Sequence, residues 1–294
     1  MKGNMPAVEE IERQELWDLQ QAATADQRRL LGLKCFHLQA EESLVSIAAA
    51  LPAAAIVINR CFGLESGLTE GDGCWAGSEF HQHLQAVLSS YGEMGVQRYF
   101  LQLPAGMITA EVNALLQQHG LQRARGWQEF ARGAEPLPSL PQPLAEGIEI
   151  RPIGREWAAD FGRIACAAFD LVVPDQDPAI ARVTEGWIAQ VVGRPGWTIF
   201  MAFCDGQPAG VGSLFRYGDC GWTNFGATSP QFRGRGIQQA LLRARIDWGL
   251  QQGVQQFYTC TGVSVPGDPQ HSWNNILRVG FRPTTIRENY QPQK

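Results

Sequence analysis

The sequence predicts a mixed α/β protein in which one α/β unit is present twice, each copy a mostly antiparallel sheet flanked by helices. Three observations lead there. Helical and strand-like stretches alternate around a run of strands. Residues 95–103, "GVQRYFLQL", and 253–261, "GVQQFYTCT", are matched segments, each following a helix-like stretch (80–94 and 236–252). From Val96 to Gly120 is 24 residues and from Val254 to Gly280 is 26, with a helical segment in each gap, "TAEVNALLQQH" and "SWNNILRV". The third is "EPLPSLPQPLAEG" at 135–147, with four prolines and no periodicity, which reads as a stiff tether. The expected division is therefore 1–134, a linker at 135–147, and 148–294.

Within the second half the elements follow in order. "IEIRPI" (148–153) is a strand, then helices cover roughly 155–169 and 179–192. Strands follow at 197–204, 208–217 and 221–228, with "DGQ" (205–207) as the turn between the first two. A helix starts at about Gly236 with Ile237, Leu241, Ala244 and Trp248 along one face, while Arg243 and Asp247 point elsewhere. The strand 255–261, a short helix and a terminal hairpin-like pair complete the half.

Composition narrows the function classes. With 45% apolar and 18% charged residues the chain is a well-packed globular protein. A net charge of −5 gives no overall pull toward nucleic acid, so a basic site has to be local. The seven cysteines are scattered and never form a CxxC pair, which argues against a disulfide framework or a zinc site; no metal is expected. The N-terminus "MKGNMPAVEEIERQELW" lacks the apolar core of a signal peptide, and no apolar run reaches the length of a membrane span. The chain reads as cytoplasmic.

The local basic site is "RGRGIQ" at 233–238. It lies between a strand and a helix N-terminus, where the first backbone N–H groups have no intrahelical partner and the dipole favours an anion. Gly234 and Gly236 let the main chain approach a phosphate closely, and Arg233 and Arg235 add charge. Neither a nucleoside-triphosphate P-loop nor a GxGxxG dinucleotide fingerprint is present. "SPQFRGRGIQQALL" resembles the central motif of the GNAT superfamily of N-acetyltransferases, [QR]-x-x-G-x-[GA], with Arg233, Gly236 and, at the last position, Gln238. A second family element, an Asn shortly before Gly-Phe, is matched by Asn275 in "NNILRVGF". "GATSPQFRGRGIQ", "TCTG" and "SWNNILRVGFRP" further resemble a bacterial tandem subgroup in which Gln is common at the position of Gln238.

The resemblance implies two tandem GNAT-like acyl-CoA N-acyltransferase domains, with acetyl-CoA as acyl donor lying between splayed fourth and fifth strands. Pantetheine would pair with the strand around Phe225 to Thr228, including Gly226 and Ala227. Pyrophosphate would sit on the N–H groups of 233–238, among them Ile237, and Asn275 would steady the chain near its thioester end. Catalysis would be direct attack by an amine, with a general acid for the leaving thiolate. The expected partner is a small-molecule amine, with no role for nucleic acid or membrane; association as a homodimer stays open.

This sequence departs from the family in two respects. Ile276 stands where many members carry a Tyr acid, and the strand "CGWTNFGAT" carries no carboxylate. Tyr258, Cys260, Ser272 and His271 lie near enough to substitute. Each also has a plain reading: core packing for Tyr258 and Cys260, a helix N-cap for Ser272, solvent exposure for His271. No catalytic residue is assigned, and a non-catalytic acyl-CoA sensor or interaction protein remains the alternative. The acceptor would be set by "FDLVVPDQDPAI" (169–180), whose Asp170, Asp175 and Asp177 read as solubilising and helix-capping; Trp187, Trp197 and Trp222 read mainly as core. In the first half the cradle falls on "WAGSEF" (75–80), without arginine and beside the acidic "GLTEGDGCWAG" (67–77), where Cys74 and Trp75 read as packing residues. That copy reads as a degenerate one.

Overall fold

A computed structural model describes residues 7–38, 43–64, 78–139 and 146–293. Packing divides the chain into one unit of Met1–Gln128 with Thr285–Lys294, and a second of Glu129–Thr284. The partition differs from the linear one expected. Residues 129–134 pack with the second unit and the last ten with the first, and 140–145 of the proline-rich tether lie outside the described residues.

In the first unit, helices α1 (Ala7–Gln21) and α2 (Ala25–Leu31) precede strands β1 (Leu33–Phe36), β2 (Leu44–Ala48) and β3 (Arg60–Phe62). Then come α3 (Ser78–Glu93), β4 (Phe100–Pro104), α4 (Ala110–Gln118) and β5 (Leu121–Arg123). Thr24 caps α2 in a capping box with Gln27, and Thr109 caps α4 by accepting from the Val112 N–H. β1 to β3 form an antiparallel meander, and β4 joins β3 in parallel across the α3 crossover. The core is aliphatic with buried aromatics among it, Phe80, Tyr91, Tyr99 and Tyr290, of which Tyr91 and Tyr99 stack at 3.9 Å between centroids.

The chain then runs into β6 (Trp127–Arg132), β7 (Ile148–Pro152), α5 (Ala158–Ala168), α6 (Pro178–Ala189), β8 (Trp197–Cys204), β9 (Gln207–Tyr217) and β10 (Cys220–Thr228). α7 (Ile237–Gln251), β11 (Gln256–Gly262), α8 (His271–Arg278) and β12 (Arg282–Pro292) follow. The second unit's strand order is β7-β8-β9-β10-β11-β6. Its pairs from β7 to β10 are antiparallel, and β10–β11 is parallel across the α7 crossover, repeating the scheme of the first unit.

Each unit completes its sheet with the last strand of the other half of the sequence. β4 pairs with β12, Arg287 opposite Pro104 and Tyr290 opposite Leu101, while the neighbour of β11 is β6. Phe130 of β6 is fully buried among Leu242, Phe257 and Ile276, with its ring edge-on to Trp273 at 4.8 Å.

The matched "GVQ" segments have a physical explanation. Gly95 and Gly253 end α3 and α7 in the left-handed conformation, φ 69° and 83°. The next N–H, of Val96 and Val254, returns to the carbonyl of Tyr91 and Gly249, both at 2.9 Å. These are Schellman stops. The strands accordingly begin later than the sequence suggested, at Phe100 and Gln256. α7 buries more of its circumference than the expected stripe: Leu242 and Ile246 form a second one, with Arg245 buried beside it. Among the described residues no helix is long and apolar enough to cross a membrane.

Candidate functional site

The site begins where β10 and β11 separate. Residues 220–222 pair in parallel with 256–258, and the ladder stops there. At that point Thr223 Oγ1 donates to the Tyr258 carbonyl (3.3 Å) and Thr259 Oγ1 to the Thr223 carbonyl (2.9 Å). Two buried threonines thus fasten the strands at the fork. Beyond it β10 carries a bulge: its register on β9 changes from Asn224 opposite Ser213 to Ala227 opposite Val211. Phe225, in the bulge, takes φ 46°, unusual for a bulky residue, and its ring packs edge-on against Phe161 and Phe169.

Past the bulge, Gly226, Ala227 and Thr228 form one wall of a cleft of about 570 Å³. A face of α8, namely His271, Ser272, Asn275 and Arg278, and the loop that opens α7 also line it. Gly234 and Gly236 sit at φ 79° and 78°, and a Cβ built on either meets nothing within 4 Å, so the loop backbone is open to an incoming group. Gly236 caps α7 without any side-chain hydrogen bond, which leaves the first-turn N–H groups for an anion. Arg233 and Arg278 line the cleft and no described carboxylate does. Thr228 Oγ1 is buried without a partner at the wall. An acyl-CoA fits this donor set: the cations and helix N-terminus suit its phosphates, and the strand edge with the orphaned hydroxyl suits its amide-bearing arm.

Of the ten residues expected to bind it, Gly226, Ala227, Thr228, Arg233, Gly234, Gly236, Ile237, Gln238 and Asn275 line the cleft. The Arg235 side chain does not. Its Nη1 lies 3.1 Å from Cys204 Sγ and its guanidinium lies over the Phe232 ring, so only its backbone remains with the loop.

The Gln238 amide is engaged by α8. Its Nε2 donates to Ser272 Oγ (3.0 Å) and its Oε1 accepts from Asn275 Nδ2 (2.9 Å), while Asn275 Oδ1 accepts from Arg278 Nη1 (3.3 Å). Ser272 is therefore not the helix cap expected of it. α8 starts at His271, two residues before a cap at Ser272 would place it, behind Gln270 at φ 55° with no side-chain cap. A long amide at 238 ties α7 to α8, which a small residue cannot do. Gln238→Leu leaves two half-buried polar groups unpaired and is expected to cost about 1–2 kcal/mol, read as a melting temperature lower by several degrees with an unchanged circular dichroism spectrum.

The other candidates separate by environment. Ile276 is 6% exposed and packed with Leu242, Val279 and Phe281, so its position offers no proton donor. Tyr258 is half-buried, and burial, with the charges of Cys220 and Asp219 adding to it, holds its phenol above the ordinary range and protonated at neutral pH. Cys260 is half-buried and His271 exposed at the cleft rim. Trp187, Trp197 and Trp222 are core residues, and Asp177 caps α6 by accepting from the Ala179 N–H at 2.7 Å. Cys74, Trp75 and the stretch 67–77 lie outside the described residues. Sequence reasoning missed Arg278, the threonine fastening and Arg245. Arg278 was within reach, since 271, 275 and 278 recur at helical spacing on one face of α8.

Comparison with known proteins follows the same lines. Residues 159–270 match the Acetyltransferase (GNAT) family. Among curated proteins no sequence matches. A GCN5-related N-acetyltransferase from Kribbella flavida superposes with a TM-score of 0.59 at 12% identity, covering 99% of this chain and 97% of that one. A GCN5-related N-acetyltransferase from Sphaerobacter thermophilus gives 0.52 at 15%, covering 85% and 80%. A tandem GNAT protein from the clavulanic acid biosynthesis pathway gives 0.50 at 15%, covering 73% and 71%. At such identities the superpositions show the fold, and the family match lies on the unit that carries the cleft. This chain is similar in fold to a tandem GNAT protein, and its residues 159–270 match the acetyltransferase (GNAT) family, a match that supports an acyltransferase activity.

Proposed function

We propose that the second unit transfers the acetyl group of acetyl-CoA to a primary amine of a small molecule, and that the first unit is a degenerate copy without cofactor chemistry. The observation that carries this is the open glycine loop at the N-terminus of α7, in a cleft lined by Arg233 and Arg278 and by no carboxylate among the described residues. Acyl-CoA brings an activated thioester. Arg233, Arg278 and the first-turn N–H groups hold its phosphates, and the 226–228 edge orients its arm toward the fork of β10 and β11. No strand carboxylate is available as base, so the acceptor has to arrive as a neutral amine in a desolvated site.

The buried Ile276 motivates a second reading, a CoA-binding sensor that does not turn over. Free thiol release with acetyl-CoA and a panel of amines separates the two. Turnover with at least one amine is expected, and tight CoA binding with none would favour the sensor. Arg233→Ala is expected to weaken CoA binding about tenfold, the loss of one charge-assisted contact, in isothermal titration. Equal affinity for variant and wild type would remove Arg233 from the site.

A further inference from the structure

Arg245 is 3% exposed on α7, and no described carboxylate pairs with it. Its Nε donates to the Leu241 carbonyl (3.1 Å), and its Nη1 to those of Ser213 (3.1 Å) and Asn224 (2.9 Å). Ser213 and Asn224 are the last facing pair of β9 and β10 before the bulge. A cation buried there without a counter-charge is costly, and burial draws the guanidinium down to about 9; three carbonyl acceptors offset part of that cost.

The sheet is shaped to admit it. A Cβ on Gly212, across from the bulge, would lie 2.8 Å from Arg245 Cζ, and one on Gly226 would lie 3.4 Å from its Nη2. Two absent side chains make the space that the guanidinium fills. β10 beyond Thr223 has lost its β11 ladder, so the bulge is held by β9, by the packing of Phe225 on Phe161 and Phe169, and by Arg245. Helix–sheet packing alone would be served by Met or Leu at this position, at lower desolvation cost. What the guanidinium adds is a grip on the Asn224 carbonyl, one residue ahead of the turn that presents Gly226–Thr228 to the cleft.

The geometry points to Arg245 as a positioning residue for acyl-CoA: by holding the Asn224 and Ser213 carbonyls it fixes the bulge, and the bulge fixes the strand edge that receives the donor's amide-bearing arm. This rests on the acyl-CoA reading of the cleft. Arg245→Met keeps bulk and removes the grip, and Arg245→Lys restores a cation able to reach the same carbonyls. CoA affinity by titration, KM and kcat for acetyl-CoA, and the melting temperature are read for each.

Expected for Arg245→Met is a rise of about tenfold in both the CoA Kd and the KM, with Arg245→Lys recovering most of it. A merely structural residue would lower the melting temperature in both variants and leave Kd and KM in place, and that result overturns the assignment. Should the Met variant not fold, Gly212→Ala crowds the guanidinium while retaining it, and is expected to raise the same two constants; a folded Gly212→Ala with wild-type constants likewise overturns it. A wild-type protein that binds no CoA overturns the acyl-CoA reading itself, and the assignment with it.

Discussion

Produced alone, residues 148–294 are expected to give no cooperatively melting domain. The fragment lacks β6, and with it the neighbour of β11 and the fully buried Phe130. It also lacks Arg132, whose Nη1 donates to the Val279 carbonyl at 2.7 Å and whose Nη2 donates to the Glu135 carbonyl. Emptying one Phe site in a core costs about 3–5 kcal/mol, a large share of the roughly 5–15 kcal/mol that stabilises a domain, and the unpaired β11 edge adds an aggregation surface. β12 fares no better, because the partners of its residues 287–292 are β4 and β5 in the missing half. A chain cleaved within 140–145 keeps β6 and β12 exchanged, so its two pieces are expected to co-elute in size-exclusion chromatography. A sharp thermal transition and native near-ultraviolet circular dichroism from 148–294 alone would refute the exchange.

Glu12→Gln is the second large effect. Glu12 of α1 accepts from Arg60 of β3 and from Arg287 of β12, and all three are at most 3% exposed. Gln102 and Asn289 extend the network at 3.4 and 2.8 Å. Removing the carboxylate leaves two buried guanidinium groups without it, which is expected to cost about 3–5 kcal/mol and lower the melting temperature by roughly 10 °C. Burial alone would raise this carboxyl; Arg287 and Arg60 override it and hold the group below its ordinary value of 4.5. A carboxylate with a lowered folded value stabilises the protein above 4.5, and that stabilisation is lost as the pH falls through the lowered value. Wild type and Glu12→Gln are therefore expected to differ most near neutral pH and to converge in acid. Melts from pH 7 down to about 3 that ran parallel would exclude the ion network as the source.

Much of the fold was legible because its signals are local. The strands of 197–228 announced themselves by apolar runs punctuated at Asp205–Gly206, and the repeat by glycines that turn out to stop helices at 95 and 253. The loop 233–238 was legible because a cradle for phosphate is contiguous in sequence. Where the reading fell short, the partner lay far along the chain. Ser272 looked like a cap until Gln238, 34 residues away, took its hydroxyl. Arg235 looked like a phosphate ligand until Cys204, 31 residues away, received its Nη1.

The sequence by itself determined the two-fold repeat, the order of elements in the second half and the anion loop at the head of α7, because helix stops, strand periodicity and a glycine-rich turn are written within a few residues. Only the tertiary structure decided which last strand completes which sheet, that Arg245 rather than an apolar residue sits beneath the bulge, and that Gln238 bridges α7 to α8. Strand pairing and burial depend on contacts between residues far apart in the chain, whose energies are settled by the space left by every other residue, and no local pattern encodes that.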